Sequence, residues 1–307
     1  MKVLVVAKKT NLELHGETIR KRVKAGQINP RYLARVEKTH KEHYNTLDLL
    51  FSLLDEYSIP YTTIGRGLYW PDLSDVSAVF TVGGDGTILE ASHHIENKDV
   101  ILFGVRSAST SVGRLCHCSY EHLREKLESF YEQKLEPVKV ARLQARIQFT
   151  ATRGSSLTEP VLNDFLYANQ SPAATTRYKI YIGDKEEEHK SSGVWVSTAS
   201  GSTGAVLAAG GKEMDLRSRL FQYMVRELYF FSSTYTPQVH QGIFDPDKVL
   251  LKIENFSERA ILALDGHHGA VSLSFGDSVE FIRGSDLYLA PPSFLQQLPS
   301  TPPPKKL

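Results

Sequence analysis

Only two cysteines occur in the 307 residues, Cys116 and Cys118, one residue apart. That spacing is poor for a mutual disulfide, so a reducing, cytoplasmic compartment is expected. Cys116-His117-Cys118 offers metal-ligand types, but no further Cys/His cluster in the sequence completes a tetrahedral set. The segment is therefore expected to be a structural strand end, and no metal ligand is assigned. Charge of one sign is missing too: 36 Lys plus Arg stand against 35 Asp plus Glu. The near balance excludes the broad field of a nucleic-acid or membrane-binding surface. No apolar run approaches the roughly 18 residues a membrane span needs. The opening Met1-Lys2-Val3-Leu4-Val5-Val6 is too short in its apolar stretch for a secretory signal and reads as a first strand. No G-x-x-x-x-G-K-[ST], H-E-x-x-H or G-x-S-x-G occurs, which removes the chemistries those motifs carry.

What is present centres on Val79-Phe80-Thr81-Val82-Gly83-Gly84-Asp85-Gly86-Thr87-Ile88-Leu89-Glu90. A β-branched apolar run stops at two glycines, and a helical pattern follows. Strand, tight glycine turn and helix N-terminus in that order form an anion cradle, because glycines let the backbone approach a phosphate and free N–H groups point at it. A carboxylate inside the cradle repels the anion. That conflict is resolved if Asp85 faces a hydroxyl awaiting a proton acceptor, or a metal ion bridging phosphates. The plainer alternative is a βα turn with Asp85 as helix N-cap.

Length and an apolar content of 41 % allow two domains with real cores. Residues 3–7 read as a strand buried on both faces, and the charged stretch 8–27 as a mobile loop with some helix. From residue 31, Leu33, Val36, His40, Tyr44, Leu47, Leu50, Phe51 and Leu54 recur at three- and four-residue steps. That predicts a long amphipathic helix with Pro30 near its start. Strands are expected at 61–64, 78–82 and 100–105, with a helix over 86–95. His93 and His94 on that helix diverge by about 100° and cannot share one metal from one face. The order argues for an α/β domain with an open, mostly parallel sheet over 1–115. After a helix at 120–132, short strands follow without intervening helices, at 145–149, 176–182, 193–198, 249–253, 260–264 and 278–282. The turn signals Gly183-Asp184, Asp265-Gly266 and Phe275-Gly276-Asp277 punctuate them. An all-β antiparallel domain is expected over 116–290, with one inserted helix after Gly201-Ser202-Thr203. The proline-rich tail, 291–307, is expected to be partly disordered.

Three further polar patches stand out. Leu162-Asn163-Asp164-Phe165 places an amide and an acid between apolar neighbours. Asn163 offers donors and an acceptor and Asp164 accepts from paired hydroxyls, as on a ribose; an Asx-turn is the structural alternative. Ser197-Thr198-Ala199-Ser200-Gly201-Ser202-Thr203-Gly204 is crowded with hydroxyls and could bind phosphate or ribose, or merely cap the helix behind it. Gly210-Gly211 reads as a turn that brings backbone close to something.

Together these motifs resemble those of the NAD kinase family. Val82-Gly83-Gly84-Asp85-Gly86-Thr87 resembles its GGDGT motif, and Leu162-Asn163-Asp164 its Asn-Glu pair with the acid one carbon shorter. Ser197-Thr198-Ala199-Ser200-Gly201-Ser202-Thr203 resembles its S-T-x-x-G-S-T segment, and Leu264-Asp265-Gly266 and Phe275-Gly276-Asp277-Ser278-Val279 its late strands. The matches fall in order over about residues 78–285, which is more specific than GGDGT alone. The resemblance implies phosphorylation of the adenosine ribose 2′-hydroxyl of NAD+ or NADH, with ATP and Mg²⁺. It implies Asp85 as general base, with Gly83, Gly84, Gly86 and Thr87 on the ATP phosphates. Asn163, Asp164, Ser200, Thr203, Gly204 and Ala208 would hold the dinucleotide in a cleft between domains, and Lys190 would lie near the new phosphate. A homodimer or larger assembly is implied, with no nucleic-acid or membrane partner.

Departures from the commoner pattern are Ser192-Gly193 in place of Asp-Gly, and Thr203-Gly204-Ala205 in place of Thr-Ala-Tyr. Ser191-Ser192-Gly193, Ser171-Pro172-Ala173-Ala174 and Met224-Val225-Arg226-Glu227 are closer to the plant-type NADH kinase branch. The choice between oxidised and reduced dinucleotide stays open. Two rivals share parts of the pattern: a lipid kinase of the diacylglycerol or sphingosine type, and a non-catalytic NADP(H)-binding sensor.

Overall fold

The computed structural model describes residues 1–96, 99–229, 237–266 and 268–293; most of the proline-rich tail lies outside them. The chain forms two compact units, 1–138 with the returning segment from 288, and 139–287. The expected boundary at 115 thus falls too early, because the helix Leu123–Tyr131 packs into the core of the first unit. The return of the chain is equally absent from the sequence reading: Tyr288 and Leu289 pair with Ile101 and Leu102 of the first sheet.

In the first unit, β1 (Val3–Ala7), β2 (Tyr61–Gly65), β3 (Ala78–Gly83) and β4 (Ile101–Arg106) run parallel in the order β2-β1-β3-β4. Helix α1 is Asn11–Lys24, α2 is Pro30–Glu56, α3 is Asp85–His93 and α4 is Leu123–Tyr131. One face of the sheet, with Val3, Val5, Phe80, Val82, Phe103 and Val105, meets Leu47, Leu50, Leu53 and Leu54 of α2 and Leu123, Leu127 and Phe130 of α4. Each such buried side chain contributes about 1.5–3 kcal/mol relative to exposure. On the opposite face Ile88 of α3 lies over Gly104, where a Cβ would come within 2.5 Å of its Cδ1.

The stretch expected to be a mobile loop with some helix is mostly helix, α1. Its signal is a capping box: the Thr10 hydroxyl accepts from the Glu13 amide and the Glu13 carboxylate accepts from the Thr10 amide. Glu13 also accepts from the Tyr44 hydroxyl at 2.7 Å, and Thr10 contacts His40 at 2.8 Å, so polar contacts dock this charged helix on α2.

The second unit is a sandwich of two antiparallel sheets. One contains Leu143–Phe149, Thr176–Ile182, Lys185–Ser191, Leu251–Asn255 and Ser278–Arg283. The other contains Asp164–Asn169, Gly193–Ser197, Phe221–Arg226 and Ala260–Leu264. Their inner faces share one core, in which Phe165 meets Phe281 and Tyr167 meets Tyr178 edge-on. The inserted helix is only Ala205–Ala208. No helix among the described residues is long and apolar enough to cross a membrane.

His43 of α2 ties the sheet ends together. Its Nδ1 lies 2.8 Å from the Ser107 hydroxyl, just past β4, and the ring also bonds the backbone of Lys8, just past β1. Burial, then the Lys8 charge, push the imidazole down to about 4. Between the ordinary value of about 6.5 and that level, the unfolded chain binds a proton the folded chain does not. Stability therefore falls as pH drops through this window, by up to about 1.4 kcal/mol per pH unit from this group. Denaturant titrations of wild type and His43→Asn between pH 7 and 4 check this: the variant should show a shallower acid slope, and an unchanged slope would mean that His43 titrates normally.

Candidate active site

In the order β2-β1-β3 the chain leaves β1 for β2 on one side and then crosses to β3 on the other. The carboxyl ends of β1 and β3 therefore flank the topological switch point, where open α/β sheets bind ligands. Gly83-Gly84-Asp85-Gly86-Thr87 stands there. Gly83 has to be glycine, since a Cβ would come within 2.2 Å of Thr87 Oγ1. Gly84, not Asp85, is the N-cap of α3, and Asp85 is the first helical residue. Its carboxylate turns away from the helix amides and accepts instead from the backbone N–H groups of Arg114 (3.0 Å) and Leu115 (2.8 Å). The structure thus decides against the capping alternative. Two oriented donors fix the carboxylate beside the turn and leave lone pairs on each oxygen.

Cys116, next along this loop, is buried and its thiol is pushed up to about 12, by burial and then by the Asp85 charge. His117 bonds the Pro291 carbonyl through Nδ1, and burial lowers it to about 4. Burial raises the Cys118 thiol as well. A neutral, packed Cys-His-Cys segment serves the fold here.

In the second unit the Asn163-Asp164 pair is organised by Asp265. This residue sits at φ +43° in the turn after Ala260–Leu264. Its carboxylate accepts three backbone N–H groups, from Leu162 (2.9 Å), Asn163 (2.8 Å) and Asp164 (3.0 Å). The sequence marks Asp265 as a turn signal and as part of a late-strand resemblance, with no role toward Asn163 and Asp164. The Asp164 side chain is buried beside it, and burial plus the Asp265 charge push it up to about 7. The Oδ1 of Asn163 is buried with no hydrogen-bond partner among the described residues. An unmatched buried acceptor costs about 1–3 kcal/mol, so this oxygen is a place for a ligand donor.

The hydroxyl-rich segment wraps the same loop. The hydroxyls of Thr198 and Ser200 donate to the Leu162 carbonyl, and the Thr198 amide donates to the Asn163 carbonyl at 2.9 Å. A Cβ on Gly201 would come within 2.2 Å of that carbonyl oxygen. The side chain of Ser200 is therefore committed to the protein, which makes it a support for Asn163. Thr203, Gly204 and Ala208 stand nearer the surface along the 3₁₀ turn Gly201–Thr203 and the short helix. Four helical residues are too few for a helix-terminus phosphate site. Gly211 does bring backbone close to something, since a Cβ there would come within 2.8 Å of Gln222 Oε1 and of the Val206 carbonyl.

Lys190 is not brought to this group within one chain. It lies in the other sheet, opposite Arg177. The strand Gly193–Ser197 begins three residues later and pairs Ser197 with Asp164 at its far end. At about 3.3 Å per residue that strand alone spans roughly 13 Å.

The profile described as the ATP-NAD kinase C-terminal domain matches residues 162–290. The chain is 28 % identical to a probable NADH kinase of Oryza sativa over 88 % of each chain. It is 31 % identical to an NADH kinase of Arabidopsis thaliana over 82 % of this chain and 84 % of that one. The fold matches an NAD kinase of Archaeoglobus fulgidus solved with ATP (TM-score 0.66, 18 % identity, 95 % and 94 % coverage). It also matches yeast NADH kinase solved with NADH (TM-score 0.64, 16 % identity, 94 % and 83 % coverage). Similarity to the Arabidopsis enzyme at 31 % identity over more than four-fifths of both chains places this chain in the NAD kinase family.

Proposed function

We propose that the chain transfers the γ-phosphoryl group of ATP to the 2′-hydroxyl of the adenosine ribose of NAD+ or NADH, giving NADP+ or NADPH and ADP. The observation that carries this reading is a carboxylate, Asp85, fixed by two backbone N–H groups beside a glycine turn at the switch point. The kinase activities of the rice and Arabidopsis relatives, and the ATP and NADH in the two similar structures, support it.

In the proposed step the ribose oxygen bonds the γ-phosphorus as the bond to the β,γ-bridging oxygen breaks. A carboxylate is far too weak a base to ionise a ribose hydroxyl beforehand. In a loose transition state it need not, since the proton moves late. Asp85 orients the hydroxyl and accepts its proton. The backbone of Gly83, Gly84 and Gly86, with Thr87, holds the donor phosphates. Magnesium takes oxygen ligands, keeps several waters and is held by one or two carboxylates plus phosphates. The free lone pairs of Asp85 fit such an ion, which when bound would neutralise phosphate charge. Asn163 and Asp164 hold the dinucleotide: the orphan Oδ1 accepts from it, and a carboxyl raised to about 7 can both donate to and accept from ribose hydroxyls. Ser200 supports that loop, and Thr203, Gly204 and Ala208 line the approach. A role for Lys190 beside the new phosphate then needs a second copy of the chain, and we propose a homodimer. A cytoplasmic location would keep its two free thiols reduced.

Asp85→Asn keeps the hydrogen-bond acceptor for one loop amide but removes the proton acceptor. It should cut kcat by roughly two to four orders of magnitude; near-normal turnover in a folded variant would remove Asp85 from the chemistry. For Asn163→Ala the KM for the dinucleotide should rise and that for ATP should hold, with a loss on the order of 1 kcal/mol. Equal rises in steady-state assays would take Asn163 out of the acceptor site.

The third expectation is that NADH is used at least as well as NAD+. NAD+ carries a cationic nicotinamide, and an acid near the ring favours it by about 1 kcal/mol in water and more in a cleft. The commoner family pattern has an acid where this chain has Ser192, and the expectation takes that position to lie near the ring. Competition kinetics decide the point: a kcat/KM for NAD+ tenfold above that for NADH, about 1.4 kcal/mol, would contradict it.

A further inference from the structure

The ends of the first sheet carry a pattern that no single motif shows. Ala7 of β1 pairs with Gly65 of β2 on one side and with Val82 of β3 on the other. One rung further, Arg66, Lys8 and Gly83 stand side by side, and Gly83 pairs with Arg106 of β4. The ladder still holds there: the Arg66 amide donates to the Ala7 carbonyl at 2.8 Å and the Lys8 amide to the Val82 carbonyl at 3.4 Å. Neighbouring strands lie about 4.8 Å apart, and residues of one rung face the same side.

That side is the one occupied by α3. A Cβ on Gly83 would lie 3.6 Å from Lys8 Cδ, and a Cβ on Gly86 would lie 3.6 Å from Arg66 Nη1. Two cationic side chains therefore border the glycine turn, one at each end. Arg66 is held in place from α3 itself. Its Nε donates to Glu90, one helical turn beyond Gly86, and the same carboxylate accepts the Gly67 amide. The Asp85 carboxylate is engaged by the Arg114 and Leu115 amides. Arg106, on the same rung, lies across Gly113 instead, where a Cβ would come within 2.6 Å of its Cδ. Burial and the Arg66 charge both lower the Lys8 ammonium. Glu90 offsets part of the Arg66 charge, and an anion lying between Arg66 and Lys8 would relieve the repulsion that remains.

We propose that Lys8 and Arg66 bind the phosphate chain of the phosphoryl donor against the glycine turn, so that the donor site extends across the ends of β2, β1 and β3. This rests on the reading of the chain as an NAD(H) kinase. Arg66 offers a planar fork suited to two phosphate oxygens, and Lys8 a compact charge. Glu90 is the positioning residue that sets the Arg66 fork.

The test uses the full chain and two readouts. In steady-state assays Lys8→Gln and Arg66→Gln should each raise the KM for Mg-ATP about tenfold, while the dinucleotide KM moves less than about threefold. Arg66→Lys should recover part of the loss, and Glu90→Gln should show a smaller rise for Mg-ATP alone. By calorimetry, inorganic tripolyphosphate should bind the double variant at least about tenfold more weakly than wild type. Unchanged Mg-ATP KM and tripolyphosphate affinity in variants with wild-type thermal unfolding would overturn the proposal, as would equal rises in both KM values. Calorimetry needs no turnover. A wild type that binds tripolyphosphate through these two residues but phosphorylates neither dinucleotide would support the anion site and sink the kinase reading.

Discussion

A carboxylate folded against the backbone must be met by N–H donors, and that requirement shapes both units of this chain. Asp85 draws in the amides of Arg114 and Leu115, so the loop after β4 is folded onto the start of α3. Asp265 draws in the amides of Leu162, Asn163 and Asp164 and so sets the loop that carries the Asn-Asp pair. Charge-assisted bonds of this kind are roughly twice as strong as neutral ones. In each case the carboxylate fixes backbone, and backbone then places the groups that would meet a substrate. The glycines complete the arrangement: Gly83 and Gly201 stand where a Cβ would collide with Thr87 Oγ1 or the Asn163 carbonyl.

The site costs stability. Asp164 is buried against Asp265 and pushed up to about 7, so stability falls as pH rises from the ordinary carboxylate range to about 7. The Asn163 Oδ1 is buried without a donor. Lys8 is half-buried and faces the Arg66 charge. Each of these is unfavourable in the free protein, and on the proposed reading a ligand of the right chemistry would relieve it.

Much of this was legible in the sequence. The apolar runs located the parallel strands, and the three- and four-residue recurrence located α2 nearly to its ends. Asp85 stood out because a carboxylate sits inside a glycine turn, with helix capping as the plainer alternative that the Arg114 and Leu115 contacts decide against. What escaped were pairings made at long range. Asp265 read as a turn residue, since its partners lie about a hundred positions earlier. Lys8 and Arg66 become neighbours only once the order β2-β1-β3 is known. The return of the chain at Tyr288 depends in the same way on sheet order. The hydroxyls of Thr198 and Ser200 suggested a ligand, yet both serve the Leu162 carbonyl, because composition does not say which acceptor a hydroxyl will find. Helix α1 was misread for a local reason: its long charged side chains mask the period, while the Thr10-x-x-Glu13 box was there to be seen.

The central claim is that this chain phosphorylates a dinucleotide at one hydroxyl. The most direct measurement incubates the purified chain with Mg-ATP and either NAD+ or NADH, then identifies the product by phosphorus NMR and by its use in a dehydrogenase strictly dependent on NADP(H). The account predicts stoichiometric ADP and a dinucleotide carrying its new phosphate on the adenosine ribose 2′-oxygen. Phosphorylation of diacylglycerol or sphingosine in place of the dinucleotide, or tight NADP(H) binding with no turnover, would contradict it.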